Sequence, residues 1–125
     1  MKMGFIKYMT RMINLTTIKK IADNNPKIIR QFLEVFAHNT AKDLKKLALA
    51  IDNEDARQVG YFVHKLKSTT QSIGFINGHK ELQRIEEKLN LSHPIKPLRL
   101  QLLNVTRECE LAVVEARRLL EKFIE

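Results

Sequence analysis

The sequence predicts an all-α protein, an antiparallel up-and-down four-helix bundle with an extra short amino-terminal helix. Apolar residues recur at steps of three and four, which marks one face of an α-helix, and no long stretch alternates as a strand does. Only four glycines and three prolines occur, nearly all at predicted helix ends. A length of 125 residues with 44% apolar content fits one domain with one core.

The first predicted helix is short, beginning after Thr16 and ending by residues 24–25, with Leu15, Ile18 and Ala22 on one side. Pro26 suits the first position of the second helix, because the N–H that proline lacks would be unpaired there. Asn25 is the predicted cap of this helix. The second helix extends to about residue 51, and its inward stripe comprises Ile29, Leu33, Phe36, Thr40, Leu44, Leu47 and Ile51.

Three more helices follow, separated by short turns. The third is predicted over about 54–73, and Gly74 then stands where a left-handed helix stop is common. The fourth covers about 78–90 and is broken by residues 92–94, and the fifth runs over about 95–123. Their inward residues are Leu82, Ile85 and Leu89 on the fourth and Leu98, Leu102, Val105, Cys109, Ala112, Ala116, Leu119 and Phe123 on the fifth. Turns this short favour antiparallel neighbours.

The net charge of +8 is concentrated at the amino end. Residues 1–30 carry seven Lys or Arg and one Asp, a balance of +6, whereas residues 31–125 carry 15 basic and 13 acidic residues, a balance of +2. We therefore expect residues 1–15 to form a basic arm or linker and residues 16–125 to form the bundle domain.

Several functional classes are disfavoured by composition. Cys109 is the sole cysteine, so no disulfide forms within the chain, and its inward position predicts a core residue. No metal-finger spacing and no Gly-rich phosphate loop occurs, so we expect neither a metal nor a cofactor on this chain. No apolar run is long enough to span a membrane, and the opening residues lack a signal-peptide core, so we expect a cytoplasmic protein without membrane insertion.

The third helix carries a polar patch turned away from its core face. With Val59 at zero on a helical wheel, Lys67 falls at about 80°, Gln71 at about 120°, His64 at about 140° and Ser68 at about 180°. Gly60 lies one turn before His64 on the same side. A glycine inside a helix costs about 1 kcal/mol relative to alanine, so it either leaves space for a partner or reflects tight packing or tolerance.

The run His64-Lys65-Leu66-Lys67-Ser68, followed by Ile73-Gly74 and the helical Leu82 and Ile85, resembles the histidine-containing phosphotransfer (HPt) domain of multistep two-component signalling. The usual pattern of that family is H-x-L-K-G-x-x-x-x-x-G. The resemblance extends over about residues 16–123, because the predicted bundle also agrees with the family.

The resemblance implies that His64 accepts a phosphoryl group and that Lys67 is the charge partner of the phosphate. Ser68, Gln71 and Gly60 would then support the site. The resemblance also implies that the partner is a receiver domain of a response regulator, a hybrid histidine kinase, or both, and that Mg²⁺ belongs to the receiver. The chain would be a relay without turnover of its own, either free-standing or a module of a hybrid kinase, and we expect a monomer.

The sequence departs from the family pattern at three positions. Ser68 replaces the glycine after the motif lysine and keeps that position small. Phe75 stands where a small residue usually follows Gly74, and Gly78 stands where an apolar residue is common. The last two departures concern the path between the third and fourth helices.

Other residues receive ordinary interpretations. His38, His79 and His93 are expected to be surface or core residues, and the glutamates at 81, 86 and 87 share a helix with Arg84 and Lys88 and are interpreted as a solvated face.

Two alternatives stay open. In the first, the chain is a basic helical binding module that contacts nucleic acid or an anionic surface through its amino-terminal arm. Aromatic residues are few and the bundle is charge-balanced, which disfavours this alternative. We therefore expect no nucleic-acid binding. In the second, the chain is a degenerate phosphotransfer fold used only for docking.

Overall fold

The computed structural model describes residues 12–91 and 94–123. Within these residues the secondary structure is entirely helical, and no strand occurs. The helices are α1 (Thr16–Ile21), α2 (Pro26–Asp52), α3 (Ala56–Ser72), α4 (Ile76–Asn90) and α5 (Ile95–Leu120), and α5 continues into a 3₁₀ turn over Glu121–Phe123. The predicted fold class is thereby confirmed.

The four long helices form a ring in which each packs against two others. α2 lies against α3 and α5, and α4 lies against the same two helices. α3 and α4 run antiparallel: His64 reaches the later Glu86, whereas Lys67, further along α3, is contacted by the earlier His79. The architecture is an up-and-down bundle with the short α1 added at its amino end.

The predicted inward stripes form the core. On α3 the buried residues are Val59, Phe62, Val63, Leu66 and Thr70, and Ile73 at the helix end is buried as well. The stripe of α2 is buried throughout, and that of α5 is buried from Leu98 to Ala116. Leu15, Leu89 and Leu119 are half-buried, and the side chain of Phe123 lies outside the described part of the chain.

Helix boundaries differ from the predicted ones by a few residues, for local reasons. α3 begins at residue 56, later than predicted, because the Asp55 side chain caps it by accepting the N–H of Gln58, and Glu54 is left-handed with φ of 50°. α4 begins earlier than predicted, at Ile76. α5 is α-helical only to Leu120, whereas we predicted a helix to residue 123. The predicted cap at Asn25 is confirmed, since its side chain accepts the N–H of Lys27.

Gly74 ends α3 as predicted. Its φ is +73°, a backbone conformation that residues with a side chain rarely adopt. A Cβ built on Gly74 would collide with the backbone carbonyl of Asn14. The turn between α3 and α4 is therefore formed against the chain segment that precedes α1.

Phe75 and Gly78 compensate for each other. The Phe75 side chain is buried, and its ring fills the place where a side chain at residue 78 would stand, since a Cβ there would lie 2.5 Å from Phe75 Cε2. The two departures from the family pattern are therefore linked: the large side chain at residue 75 occupies the space that the absent side chain at residue 78 leaves.

The segment before α1 packs on the bundle. Ile13 is buried, and its backbone N–H donates to Oε2 of Glu115 at 2.9 Å. Burial raises the pKa of Glu115, although the backbone N–H groups of Ile13 and Met12 and the charge of Arg118 act in the opposite direction. Residues 1–11 lie outside the described residues, and the division into an arm of residues 1–15 and a domain of residues 16–125 stays a prediction.

Replacing Gly74 by alanine is expected to lower the free energy of unfolding by about 1–2 kcal/mol or more, because the left-handed backbone penalises a Cβ and Asn14 blocks it. Gly60→Ala is the matched control: a Cβ at residue 60 meets no atom within 4 Å, so alanine should raise stability by up to about 1 kcal/mol. Urea unfolding of both variants measures the difference. Equal effects of the two substitutions would contradict this account of the turn.

Candidate functional site

His64 lies near the middle of α3 and points away from the core. Because Val63 and Leu66 are buried on the opposite side, the helical phase turns the imidazole outward, and 66% of its side chain is exposed. Ser68 and Gln71 are also exposed, while the Lys67 side chain is 25% exposed. The structure thus places the predicted polar patch on one outward face of α3.

Glu86 of α4 joins His64 and Lys67. One carboxylate oxygen, Oε2, lies 2.5 Å from Nδ1 of His64, and the other, Oε1, lies 2.6 Å from Nζ of Lys67. Glu86 itself is mostly covered, with 16% of its side chain exposed. A single carboxylate therefore bridges the two residues that the sequence singles out.

The charge state of Glu86 assigns the hydrogen-bond roles. Partial burial alone would raise its pKa, but hydrogen bonds and charge from Lys67 and His64 outweigh burial, and the pKa of Glu86 lies below its ordinary value. An ionised carboxylate can only accept hydrogen bonds, so Nδ1 of His64 is the donor. In the neutral ring this assignment leaves the lone pair on Nε2.

The backbone carbonyl of Lys67, beside the polar patch, accepts two side-chain hydrogen bonds. Nδ1 of His79, at the start of α4, lies 2.9 Å from the carbonyl oxygen of Lys67 and donates to it. The Thr70 hydroxyl donates to the same carbonyl at 3.0 Å. The hydrogen bond from His79 connects the first turn of α4 to the part of α3 that carries the site, whereas the bond from Thr70 lies within α3.

Space remains open beside the imidazole. Nothing lies within 4 Å of a Cβ built at Gly60, so tight packing does not explain the glycine. The Tyr61 side chain, one turn before His64, is 60% exposed and packs edge-on against Phe62. The surroundings of His64 are therefore accessible to a large partner.

Comparison with known proteins identifies the arrangement. Residues 31–123 match the family model described as the Hpt domain, which is most of the chain. The chain belongs to the Hpt domain family. Its function is therefore histidine phosphotransfer in two-component signalling, in which it interacts with receiver domains and kinases.

A solved structure has the same fold. This Hpt domain superposes on the crystal structure of the HPT domain from the Hpt sensor hybrid histidine kinase of Shewanella with a TM-score of 0.80. The match covers 90% of this chain and 97% of that one at 17% sequence identity, so it supports the fold alone. No curated protein matches the chain.

The remaining sequence candidates lie apart from the site. His38 is exposed on α2, and His93 lies outside the described residues. Cys109 is buried as predicted, and burial raises the pKa of its thiol to about 12, which makes it unreactive. Across residues 12–91 and 94–123 no group of three potential metal ligands comes together, and no helix there is long and apolar enough to cross a membrane.

Glu86 is the site residue that our sequence interpretation missed. We took it for part of a solvated face, which is wrong, because it is covered and contacts α3. A signal was present: His64 stands eleven residues before Phe75 and Glu86 eleven residues after it. Two antiparallel helices joined by a tight turn at that point bring such positions to the same level.

The low pKa of Glu86 predicts a specific acid response. A carboxylate whose folded-state pKa is lowered contributes stability above its unfolded-state pKa, near 4.5, and the contribution is lost as the pH falls through the lower folded-state value. A carboxyl titration by NMR should place the Glu86 pKa below its ordinary value. Lys67→Met should raise that pKa, and an unchanged value in the variant would exclude the ion pair.

Proposed function

We propose that His64 is the residue of this Hpt domain that accepts the phosphoryl group from a receiver aspartate and returns it to one, and that Nε2 is the acceptor atom. The observation that carries the proposal is an exposed imidazole whose Nδ1 is held by Glu86 at 2.5 Å. Among the described residues no hydrogen bond reaches Nε2, so the attacking nitrogen faces solvent.

The transfer needs no separate base. Nε2 of the neutral ring attacks the phosphorus of an aspartyl phosphate, the P–N bond forms, and the P–O bond to aspartate breaks as the carboxylate leaves. The ring keeps its Nδ1 proton and becomes positively charged, and the adjacent Glu86 carboxylate stabilises this charge as well as the ring orientation. The reverse reaction uses the same contacts.

Lys67 has two parts in this scheme. In the unphosphorylated protein its ammonium group neutralises Glu86 and keeps the carboxylate ionised. After transfer the same group is one turn from the phosphohistidine and pairs with its oxygens. Ser68 and Gln71, both exposed on this face, supply hydrogen bonds to the phosphate or to the partner.

The receiver covers the face of α3 around Gly60, Tyr61 and Ser68. Helix α3 contains Arg57, Lys65 and Lys67 and no acidic residue, which complements an acidic partner pocket. Mg²⁺ is held by that pocket, and the Hpt domain acts as a relay without turnover of its own. No finding supports the alternative of nucleic-acid binding.

The decisive experiment is incubation with a phosphorylated receiver domain. The wild-type chain should gain an acid-labile, base-stable phosphoryl group, and ¹⁵N NMR of the ring should assign it to Nε2. His64→Gln should abolish labelling, whereas His38→Gln and His79→Gln should retain it. Labelling of a folded His64→Gln protein would refute the assignment.

A second experiment tests the positioning role of Glu86. Glu86→Gln keeps the size of the side chain but removes the charge that fixes the tautomer, so the transfer rate should fall about tenfold to a hundredfold. Glu87→Gln, on the exposed side of the same helix, should leave the rate unchanged. The NMR tautomer of His64 should become mixed in the first variant only. A merely structural role for Glu86 would leave that spectrum unaltered.

A further inference from the structure

The outer face of α5 carries a second regular stripe, separate from its core stripe. Its positions follow steps of 4, 3, 4, 3, 4, 3 and 4, and all eight residues are exposed. Seven lie on α5, namely Lys96, Leu100, Leu103, Arg107, Glu110, Val114 and Arg117, and the eighth is Glu121, the first residue of the 3₁₀ turn that continues the helix. Such alternating steps are the spacing of a helix that packs along another helix.

This stripe has no partner within the described part of the chain. Leu100 is 70% exposed, Leu103 44% and Val114 45%, although each is large and apolar. None of the stripe's five charged side chains forms an ion pair among the described residues. The face therefore combines unburied apolar area with unpaired charge of both signs.

Three of the four residue pairs that the stripe forms with its own reverse are complementary. Read from the two ends inward, the stripe pairs Lys96 with Glu121, then Leu100 with Arg117, then Leu103 with Val114, and at the centre Arg107 with Glu110. Lys96 and Arg107 each meet a glutamate, and Leu103 meets Val114, whereas Leu100 meets the charged Arg117. An antiparallel copy of the same helix would form each pair twice, which gives four ion pairs and two apolar pairs.

We propose that two copies of this chain associate through the outer faces of α5, related by a two-fold axis that passes between residues 108 and 109. The contact extends from Lys96 to Glu121, about 38 Å along the helix at 1.5 Å per residue. Apolar pairs on both sides of the centre are flanked by ion pairs at the centre and at the ends. Such an isologous contact closes on itself and stops at a dimer.

A groove beside the stripe fits this arrangement. It has a volume of about 320 Å³ and lies between α2 and α5, where Ala41 and Ala48 are too small to fill the space. Val114 lines the groove, so the Leu103 side chain of the other copy, which faces Val114, lies at its mouth. The groove gives the second copy apolar surface beyond the stripe itself.

The proposed dimer leaves the phosphotransfer site free. α5 packs on α2 and α4 and stands diagonally across the ring from α3, which carries His64. The two imidazoles of a dimer would face outward on separate sides, and each could meet a receiver independently. The proposed dimer departs from our expectation from the sequence that the chain is a monomer.

Sedimentation velocity over a concentration series tests the proposal. The wild-type chain should sediment as a monomer–dimer mixture whose dimer fraction rises with concentration. Arg107→Glu and Glu110→Arg each place like charges opposite each other twice, so each should weaken association about tenfold or more. The double variant Arg107→Glu/Glu110→Arg restores opposite pairs, and its dissociation constant should return to within about threefold of wild type.

The controls separate association from folding. All exchanged side chains are exposed, so helicity and the urea midpoint should be the same in the four proteins. A wild-type chain that remains monomeric up to about 1 mM would overturn the proposal and leave the α5 face to a different protein partner. A dimer that both single variants leave unchanged, or that the double variant does not restore, would overturn it as well.

Discussion

The rotational phase of α3 is the constraint on which the rest of the site depends. Val59, Val63 and Leu66 are almost wholly buried, and turning the helix by a quarter would expose them and bury charged side chains in their place. Burial of an apolar stripe therefore decides which residues face water. His64 is exposed because Val63 and Leu66 are buried, so its position depends on the packing of side chains that do not contact the phosphate.

The second requirement is the relation between α3 and α4. Glu86 contacts His64 only because the two helices are antiparallel, in register and fixed near their turn by Gly74 and by the hydrogen bond from His79 to the carbonyl of Lys67. The Glu86 carboxylate places a negative charge beside His64, and α3 alone could not supply this charge. A histidine on a surface helix is common, whereas a histidine whose ring is held by an ionised group of the next helix needs the tertiary fold.

Much of this architecture was predictable because it follows from local rules. Periodic burial, the cap at Asn25 and the left-handed stop at Gly74 each depend on residues a few positions apart in the sequence. The outward position of His64 follows from the same periodicity. Glu86 was not recognised because its partners come from another helix, and a glutamate between basic residues has the same local pattern whether it is solvated or covered. The early start of α4 was missed for a related reason, since a buried Phe75 at its cap depends on space that only Gly78 provides.

The exchange of volume between Phe75 and Gly78 restricts how this turn can change during evolution. Replacing Phe75 alone by a small residue would open a void under α4, and enlarging residue 78 alone would displace the Phe75 ring. Either single substitution therefore gives a less stable protein, whereas the paired substitution does not. The two positions should therefore be inherited together among close relatives, so that a small residue at one accompanies a large residue at the other.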